Sequence, residues 1–290
     1  MFYSIKELVE QADLDFNGNV AELMIATEYE LTGRERDEVL RLMGRNLEVM
    51  KASVLLGLDE SKSRSGLTGG DAAKLHHYIQ SGKALSDHTV LTAAKNAIAV
   101  NEHNAKMGLV CATPTAGSAG CLPAVLTSAI EKLDLTEEQQ LKFLLAAGAF
   151  GLVIANNASI SGAEGGCQAE VGSASAMSAA ALVLAAGGSA FQASQAICFV
   201  IKNMLGLICD PVAGLVEVPC VKRNAMGASY AFIAADMALA GIESKIPVDE
   251  VIDAMYQVGS SLPTAFRETA EGGLATTPTG RRLSKEIFGE

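Results

Sequence analysis

The chain has 290 residues, is 49% hydrophobic but only 5% aromatic, lacks tryptophan and carries a formal charge of −11. That acidic balance repels phosphate backbones and anionic lipid, and no basic run offsets it, so nucleic-acid and membrane-surface partners are disfavoured. Alanine and glycine supply much of the apolar content, which predicts thin helices in close approach rather than aromatic plugs.

In chain order the helical signals dominate. "SIKELVEQ" opens as a short amphipathic helix and "NVAELMIATEYEL" (19–31) follows. Over 34–58, Val39, Leu40, Met43, Leu47, Met50, Val54 and Leu55 recur at three-and-four spacing, the period of a helix with one buried face. Asp71 and Ser86 read as N-caps of the next two helices, the second ending at Gly108. Thr136 with Gln139 forms a capping box before the apolar run 141–155. Further helices are expected over about 168–186, 190–205, 224–241 and 248–260. The uncharged stretch Val171 to Ile201 is broken by "AGGSA" (186–190) and reads as a buried helical hairpin rather than a membrane span. "GLVCAT" and "GLVEV" are the best short strand candidates, and no βαβ rhythm appears. The expectation is a mainly α fold in one domain, 1–290. The first residues carry Lys6, Glu7 and Glu10 instead of the basic-then-apolar order of a signal peptide, so a cytoplasmic location is expected.

Four irregular segments rich in Gly, Ser, Thr or Pro separate these helices: 60–71, 111–120, 156–167 and 209–220. All four can meet at one end of a bundle, the usual place for chemistry on a rigid scaffold. None spells a P-loop or a dinucleotide fingerprint, and HExxH and G-x-S-x-G are missing. "TPTAGSAG" (113–120) offers exposed amides and the hydroxyls of Thr113, Thr115 and Ser118 to a small carboxylate; ordinary helix capping explains the same residues. His76 and His77 read as residues of an exposed helix face. No lysine sits beside a phosphate cradle, which speaks against pyridoxal phosphate.

Six cysteines without a secretory signal read as buried thiols, metal ligands or redox groups. Cys198 falls inside a helix as a small apolar residue, and Cys111 and Cys121 can be the same. Cys167 follows "GAEGG", where bare backbone can approach a large object. Cys209 and Cys220 stand beside prolines that hinder simple helix packing. Three thiolates from two loops can bind three corners of a cubane and leave one iron open; the spacing alone also admits plain buried thiols.

"SGAEGGCQAEVG" (161–172) and "GLICDPVAGLVEVPCVKRN" (206–224) resemble the iron–sulfur-dependent L-serine dehydratases, and "TPTAGSAGCLPAV" (113–125) and "KSRSGLTGG" (62–70) look like two further blocks of that family. The resemblance spans essentially the whole chain and fits the alpha (catalytic) subunit of the two-subunit form. It implies a mainly α fold, a [4Fe–4S] cluster on Cys167, Cys209 and Cys220, and conversion of L-serine to pyruvate and ammonia. It also implies a separate beta subunit with an ACT-type regulatory domain. Single-chain members can place a tail cysteine on the fourth iron; here no cysteine follows Cys220, so water or substrate is expected there. Glu164 is the local candidate for the base, a beta-subunit group being the other source. Thr113, Thr115, Gly117 and Ser118 are the expected grip on the substrate carboxylate, with Arg64, Ser65, Arg223 and Asn224 in secondary places. The alternatives are an iron–sulfur lyase for another small amino or hydroxy acid, or a non-catalytic helical subunit.

Overall fold

The computed structural model describes residues 1–289. Twelve α-helices follow one another: α1 (Ile5–Phe16), α2 (Val20–Thr32), α3 (Arg36–Leu56), α4 (Asp71–Gln80), α5 (His88–Ala105), α6 (Cys121–Leu133), α7 (Glu137–Asn157), α8 (Gly162–Ala185), α9 (Ala190–Met204), α10 (Cys220–Leu239), α11 (Val248–Ser261) and α12 (Pro278–Phe288). Short 3₁₀ turns lie at Val212–Gly214, Thr264–Phe266 and Gly273–Thr276. The described residues contain no named strand, only one parallel bridge between Cys209 and Arg267. The mainly α expectation holds.

The middle of the molecule is α8. Its residues from Gly165 to Val183 are all buried, and α6, α7, α9, α10 and α11 pack around it. A helix covered on every side needs small residues, and "GSASAMSAAA" supplies them. The facing helices reciprocate. A Cβ on Gly227 of α10 would lie 2.8 Å from the Cys121 sulfur and 2.9 Å from Val171 Cγ1, so α10 reaches α6 and α8 only because that residue is glycine. One apolar core runs from Phe2 of the N-terminal segment to Met255 of α11. The 171–201 stretch forms the expected hairpin, α8 turning into α9 at residues 186–189. No described helix is long and apolar enough to cross a membrane.

The capping box stands as read: Thr136 Oγ1 accepts from the Gln139 amide and Gln139 Oε1 from the Thr136 amide. Other boundaries need correction. Asp71 is the first helical residue of α4, behind Gly70 at φ 79°, and the N-cap of α5 is Asp87 rather than Ser86. α5 stops at Ala105, and the left-handed residue after it is Met107 at φ 65°. Gly108 is small for another reason: the His103 ring occupies the space a Cβ would need. "GLVCAT" and "GLVEV" form no strand, since neither finds a partner edge. The helices expected at 168 and 224 begin earlier, at Gly162 and Cys220, which moves Cys167 and Cys220 from loops into helix starts.

Candidate metal centre and active site

The four irregular segments do meet at one end of the bundle. Glu217, buried, accepts from Ser63 Oγ at 2.6 Å and Ser65 Oγ at 2.8 Å, which ties the 60–70 loop to the segment between Cys209 and Cys220. Asn224, fully buried on α10, donates to Gly117 O at 2.8 Å and Cys220 O at 3.0 Å, and accepts from the Gly120 amide at 3.2 Å. One side-chain amide thus locks the 113–120 loop onto the turn that carries Cys220.

Cys167 owes its position to a break inside α8. Gly166 sits at φ 74°, and a Cβ there would lie 2.7 Å from Leu207 O and 2.8 Å from Leu262 Cδ1. The chain therefore passes the 206–208 segment with bare backbone and restarts its helix at Cys167. Gln168 fixes the arrangement: its amide donates to Leu207 O at 2.9 Å and its side chain accepts from the Gly206 amide at 2.8 Å. Cys209 is held by the parallel bridge, its amide donating to Phe266 O and its carbonyl accepting from the Glu268 amide, both at 2.9 Å. Cys220 begins α10 directly after Pro219.

One ligand atom each from Cys167, Glu170 and Cys209 lies within 4.8 Å of the others, all three residues buried. Cys220 lies outside that 4.8 Å group, and burial first, then Cys167 and Glu170, oppose its ionisation. The neighbouring Cys209 thiol, acting against burial, holds Cys167 below the ordinary thiol range, and the Arg223 guanidinium adds to that. Cys209 is pushed up by the same pairing and by burial. That pairing makes Cys167 the most readily ionised of the three thiols, and a thiolate is the form that ligates metal. Arg223 Nη1 stands 3.5 Å from Cys167 Sγ, donates to Ile208 O at 2.8 Å and pairs with Asp210 Oδ1 at 2.9 Å. Asp210 is 2% exposed; its Oδ1 meets Arg223 as a charge pair without a well-directed hydrogen bond, while Oδ2 accepts from the Leu274 amide at 2.7 Å.

The space beside the thiols is kept open by a missing side chain. A Cβ on Gly162 would lie 3.0 Å from Cys209 Sγ, 3.2 Å from Glu268 Oε2 and 3.3 Å from Glu170 Oε2. Three thiols, a cation beside one sulfur and a bare glycine floor form a donor set suited to an iron–sulfur group, which binds through thiolate and is tuned by hydrogen bonds to sulfur.

The remaining candidates distribute unevenly. Thr115 Oγ1 donates to Glu170 Oε1 and shares a hydrogen bond with Ser118 Oγ at 3.0 Å; Thr113 O lies 3.4 Å from the same Ser118 hydroxyl. Gly117 backs directly onto the Glu170 carboxylate. Ser65 is occupied by Glu217, and Arg64, exposed, rides on the same loop. Glu164 is exposed and accepts from Ser159 Oγ at 2.6 Å. It lines a 370 Å³ cavity with Tyr256, Ser260 and Arg267, apart from the Cys167–Glu170–Cys209 group. The reading of the residues missed two carboxylates. Glu170 was detectable, three positions after Cys167 and hence on the same helical face. Glu268 was not, since only the distant bridge brings it to Cys209. Cys121 and Cys198 stay in helix packing, and Cys111 lines a separate cavity of about 460 Å³ with Met43, Met50 and Leu144.

A helical scaffold that gathers buried Cys167, Glu170 and Cys209 at one loop-built end defines an α-helical protein with a site suited to a metal group. The chain belongs to the serine dehydratase alpha chain family, whose model matches residues 15–275. It is 60% identical over 289 residues to the probable L-serine dehydratase, alpha chain, of Bacillus subtilis, covering 100% of this chain and 96% of that one. It is 42% identical over 272 residues to the L-serine dehydratase, alpha chain, of Peptoniphilus asaccharolyticus, covering 93% of each. Against the L-serine dehydratase of Streptomyces coelicolor it is 41% identical over 265 residues, 89% of this chain but 57% of that longer one.

Proposed function

We propose that this chain is the catalytic alpha subunit of a cytoplasmic, iron–sulfur-dependent L-serine ammonia-lyase that forms pyruvate and ammonia. The observation that carries the reading is the convergence of Cys167 and Cys209 with Glu170 within 4.8 Å, Cys220 alongside, over the bare floor of Gly162. Cys167, Cys209 and Cys220 would hold a [4Fe–4S] cluster, which when bound supplies a Lewis-acidic iron to a hydroxyl that is otherwise a poor leaving group.

The chain's own residues then receive the amino acid. The amides of Ala116 and Gly117 donate to no acceptor among the described residues, which leaves two N–H groups of the 113–120 loop for the substrate carboxylate. Ser118 and Thr113 shape that loop, and Thr115 orients Glu170. Glu170, 7% exposed, is pushed up by burial, with Thr115 opposing and Glu268 reinforcing, so it holds a proton more tightly than a free carboxylate. That makes it a stronger base candidate than Glu164, which stays at the surface with Ser159. Arg223 and Asn224 support the cysteines, Arg223 at the Cys167 sulfur and Asn224 at the Cys220 turn, and Arg64 and Ser65 occupy the rim of the same end. A beta subunit with an ACT-type domain is the proposed partner. The greater length of the Streptomyces relative and the alpha-chain names of the two bacterial relatives support a second chain.

The deciding experiment is anaerobic purification with and without the beta chain, followed by iron analysis and a pyruvate assay on L-serine, L-threonine and L-cysteine. Brown protein that forms pyruvate from L-serine and loses iron and activity together in air is expected. Full activity in metal-free protein, or dependence on pyridoxal phosphate, overturns the reading.

A further inference from the structure

We infer that Glu268 receives the α-ammonium group of the substrate, and that this contact selects amino acids over hydroxy acids of the same size. The inference rests on the serine-lyase reading above and adds the group that recognises nitrogen.

Glu268 is placed with unusual firmness for a residue of an irregular segment. Its amide donates to Cys209 O at 2.9 Å, and the preceding Phe266 carbonyl accepts from the Cys209 amide at the same distance. Its backbone stands at φ 64°, in the left-handed region that side chains adopt rarely, and Ala270 nearby repeats this at 58°. Strain at a non-glycine residue persists where surrounding structure over-determines it, and such positions gather at ligand sites. The side chain it delivers accepts no hydrogen bond within the described chain. Its Oε2 nevertheless reaches the Gly162 floor, which Cys209 Sγ and Glu170 Oε2 also border.

The charges around that floor are lopsided. The Cys209 sulfur and the carboxyls of Glu170 and Glu268 face it, and Arg223, the cation beside Cys167, is committed to Asp210 and Ile208 O. Arg267, the residue before Glu268, turns the other way and donates to Ser260 O. Lys222, the residue before Arg223, points outward to Asp71 at 2.6 Å. Neither carboxylate forms an ion pair with a cationic side chain among the described residues. Glu170 Oε1 is occupied by Thr115, but its Oε2 accepts nothing, in a residue more than nine-tenths buried. Glu268 is half-buried and Glu170 buried, so both carboxylates keep acceptor capacity for a cationic ligand.

An α-amino acid is such a ligand. Its carboxylate finds the free amides of Ala116 and Gly117 on one loop; its ammonium finds Glu268 on the C-terminal segment, with Glu170 between them. The two ends of one small zwitterion are read by two segments far apart in sequence. A hydroxy acid of equal length brings the anion without the cation and leaves Glu268 unpaired. A site built to hydrogen-bond a substrate N–H discriminates strongly against the analogue lacking it.

The test uses the reconstituted, iron-loaded enzyme and compares L-serine with 3-hydroxypropanoate, which is serine without its amino group. Binding is read from the perturbation of the cluster's visible and electron paramagnetic resonance spectra, so it does not depend on turnover. Wild-type protein should bind L-serine at least about tenfold more tightly than 3-hydroxypropanoate. Glu268→Gln should weaken L-serine about ten- to a hundredfold and leave 3-hydroxypropanoate and the iron content unchanged. Glu268→Asp, which keeps the charge one methylene short, should fall between. Equal weakening of both ligands, unchanged L-serine affinity, or loss of iron in Glu268→Gln would each overturn the assignment. A failure of the lyase reading looks different: wild-type protein would hold no iron, or neither ligand would perturb its spectrum.

Discussion

Cys121 and Cys198 are as deeply buried as Cys167, Cys209 and Cys220, yet the two groups live in different kinds of structure. Cys121 packs where α6, α8 and α10 cross, its sulfur 3.5 Å from Asn224 O, and Cys198 lies on α9 with its sulfur 3.9 Å from Ile246 O. Burial raises both thiols; Cys121 has no cation to counter it, and at Cys198 Ser244 and Lys202 counter it only in part. The other three sit where regular structure starts or stops: after the Gly166 break, on the Cys209–Arg267 bridge, and at the first residue of α10. Burial therefore does not make a ligand. A helix interior spends its side chains on neighbours, whereas a helix start, with backbone diverted by glycine or proline, can aim several sulfurs at one point.

Substitution at the sulfurs tests this most severely. Cys209→Ser should lower bound iron at least about tenfold and abolish pyruvate formation, because a neutral hydroxyl would replace a proposed thiolate ligand. Cys198→Ser should keep its iron and brown colour and cost about 1–2 kcal/mol of stability, the price of placing a hydroxyl among apolar neighbours. Iron analysis beside urea unfolding separates the two. Equal iron loss in both variants would erase the distinction between the groups.

A milder change sharpens the same contrast without touching a ligand. Gly162 lies in the first turn of α8 outside the left-handed region, so alanine fits its backbone. The added Cβ would stand 3.0 Å from Cys209 Sγ and within 3.3 Å of both carboxylates. Gly162→Ala should therefore fold with a melting temperature close to wild type and yet take up several-fold less iron on reconstitution. Normal iron uptake would show that the floor is not where the cluster rests.

The two regions were also unequally legible. Periodicity and capping find α3, α7 and the α8–α9 hairpin because each is stated locally, by apolar residues on one face or by Thr136 answering Gln139. Small-residue composition anticipated the close helix approaches that Gly227 exemplifies. The helix α12 went unread although Thr277 followed by Pro278 is an ordinary helix start. At the site, the cysteines stand out because prolines and glycines flank them. Glu170 was passed over for Glu164, which lies nearer the glycines but turns to Ser159 at the surface. Glu217 and Glu268 have no local mark, since the partners that give them meaning, Ser63 with Ser65 and Cys209, come from distant segments.

The smallest expected effect lies on the outer side of the same α10 start. Arg223 turns inward to Asp210, while Lys222 turns outward to Asp71, which also pairs with Lys74 at 2.8 Å. The Lys222 ammonium first, then Lys74, holds the Asp71 carboxyl at about 2, below its ordinary value. A depressed carboxylate contributes stability that is complete above the unfolded-state value of about 4 and disappears as pH falls toward 2. The contribution is small, because these side chains remain largely in water and the start of α4 is held mainly from within. Buried Glu102 accepts from the amides of Gly69 and Asp71 at 3.0 Å and of Ala72 at 3.3 Å. Asp71→Asn should therefore cost less than about 1 kcal/mol in urea unfolding at pH 7. The gap from wild type should hold at pH 5, narrow below pH 4, and shrink in high salt, while iron content stays unchanged. A loss of several kcal/mol, or of iron, would mean that the outer ion pairs share in holding the cysteines and that the inward-facing residues do not act alone.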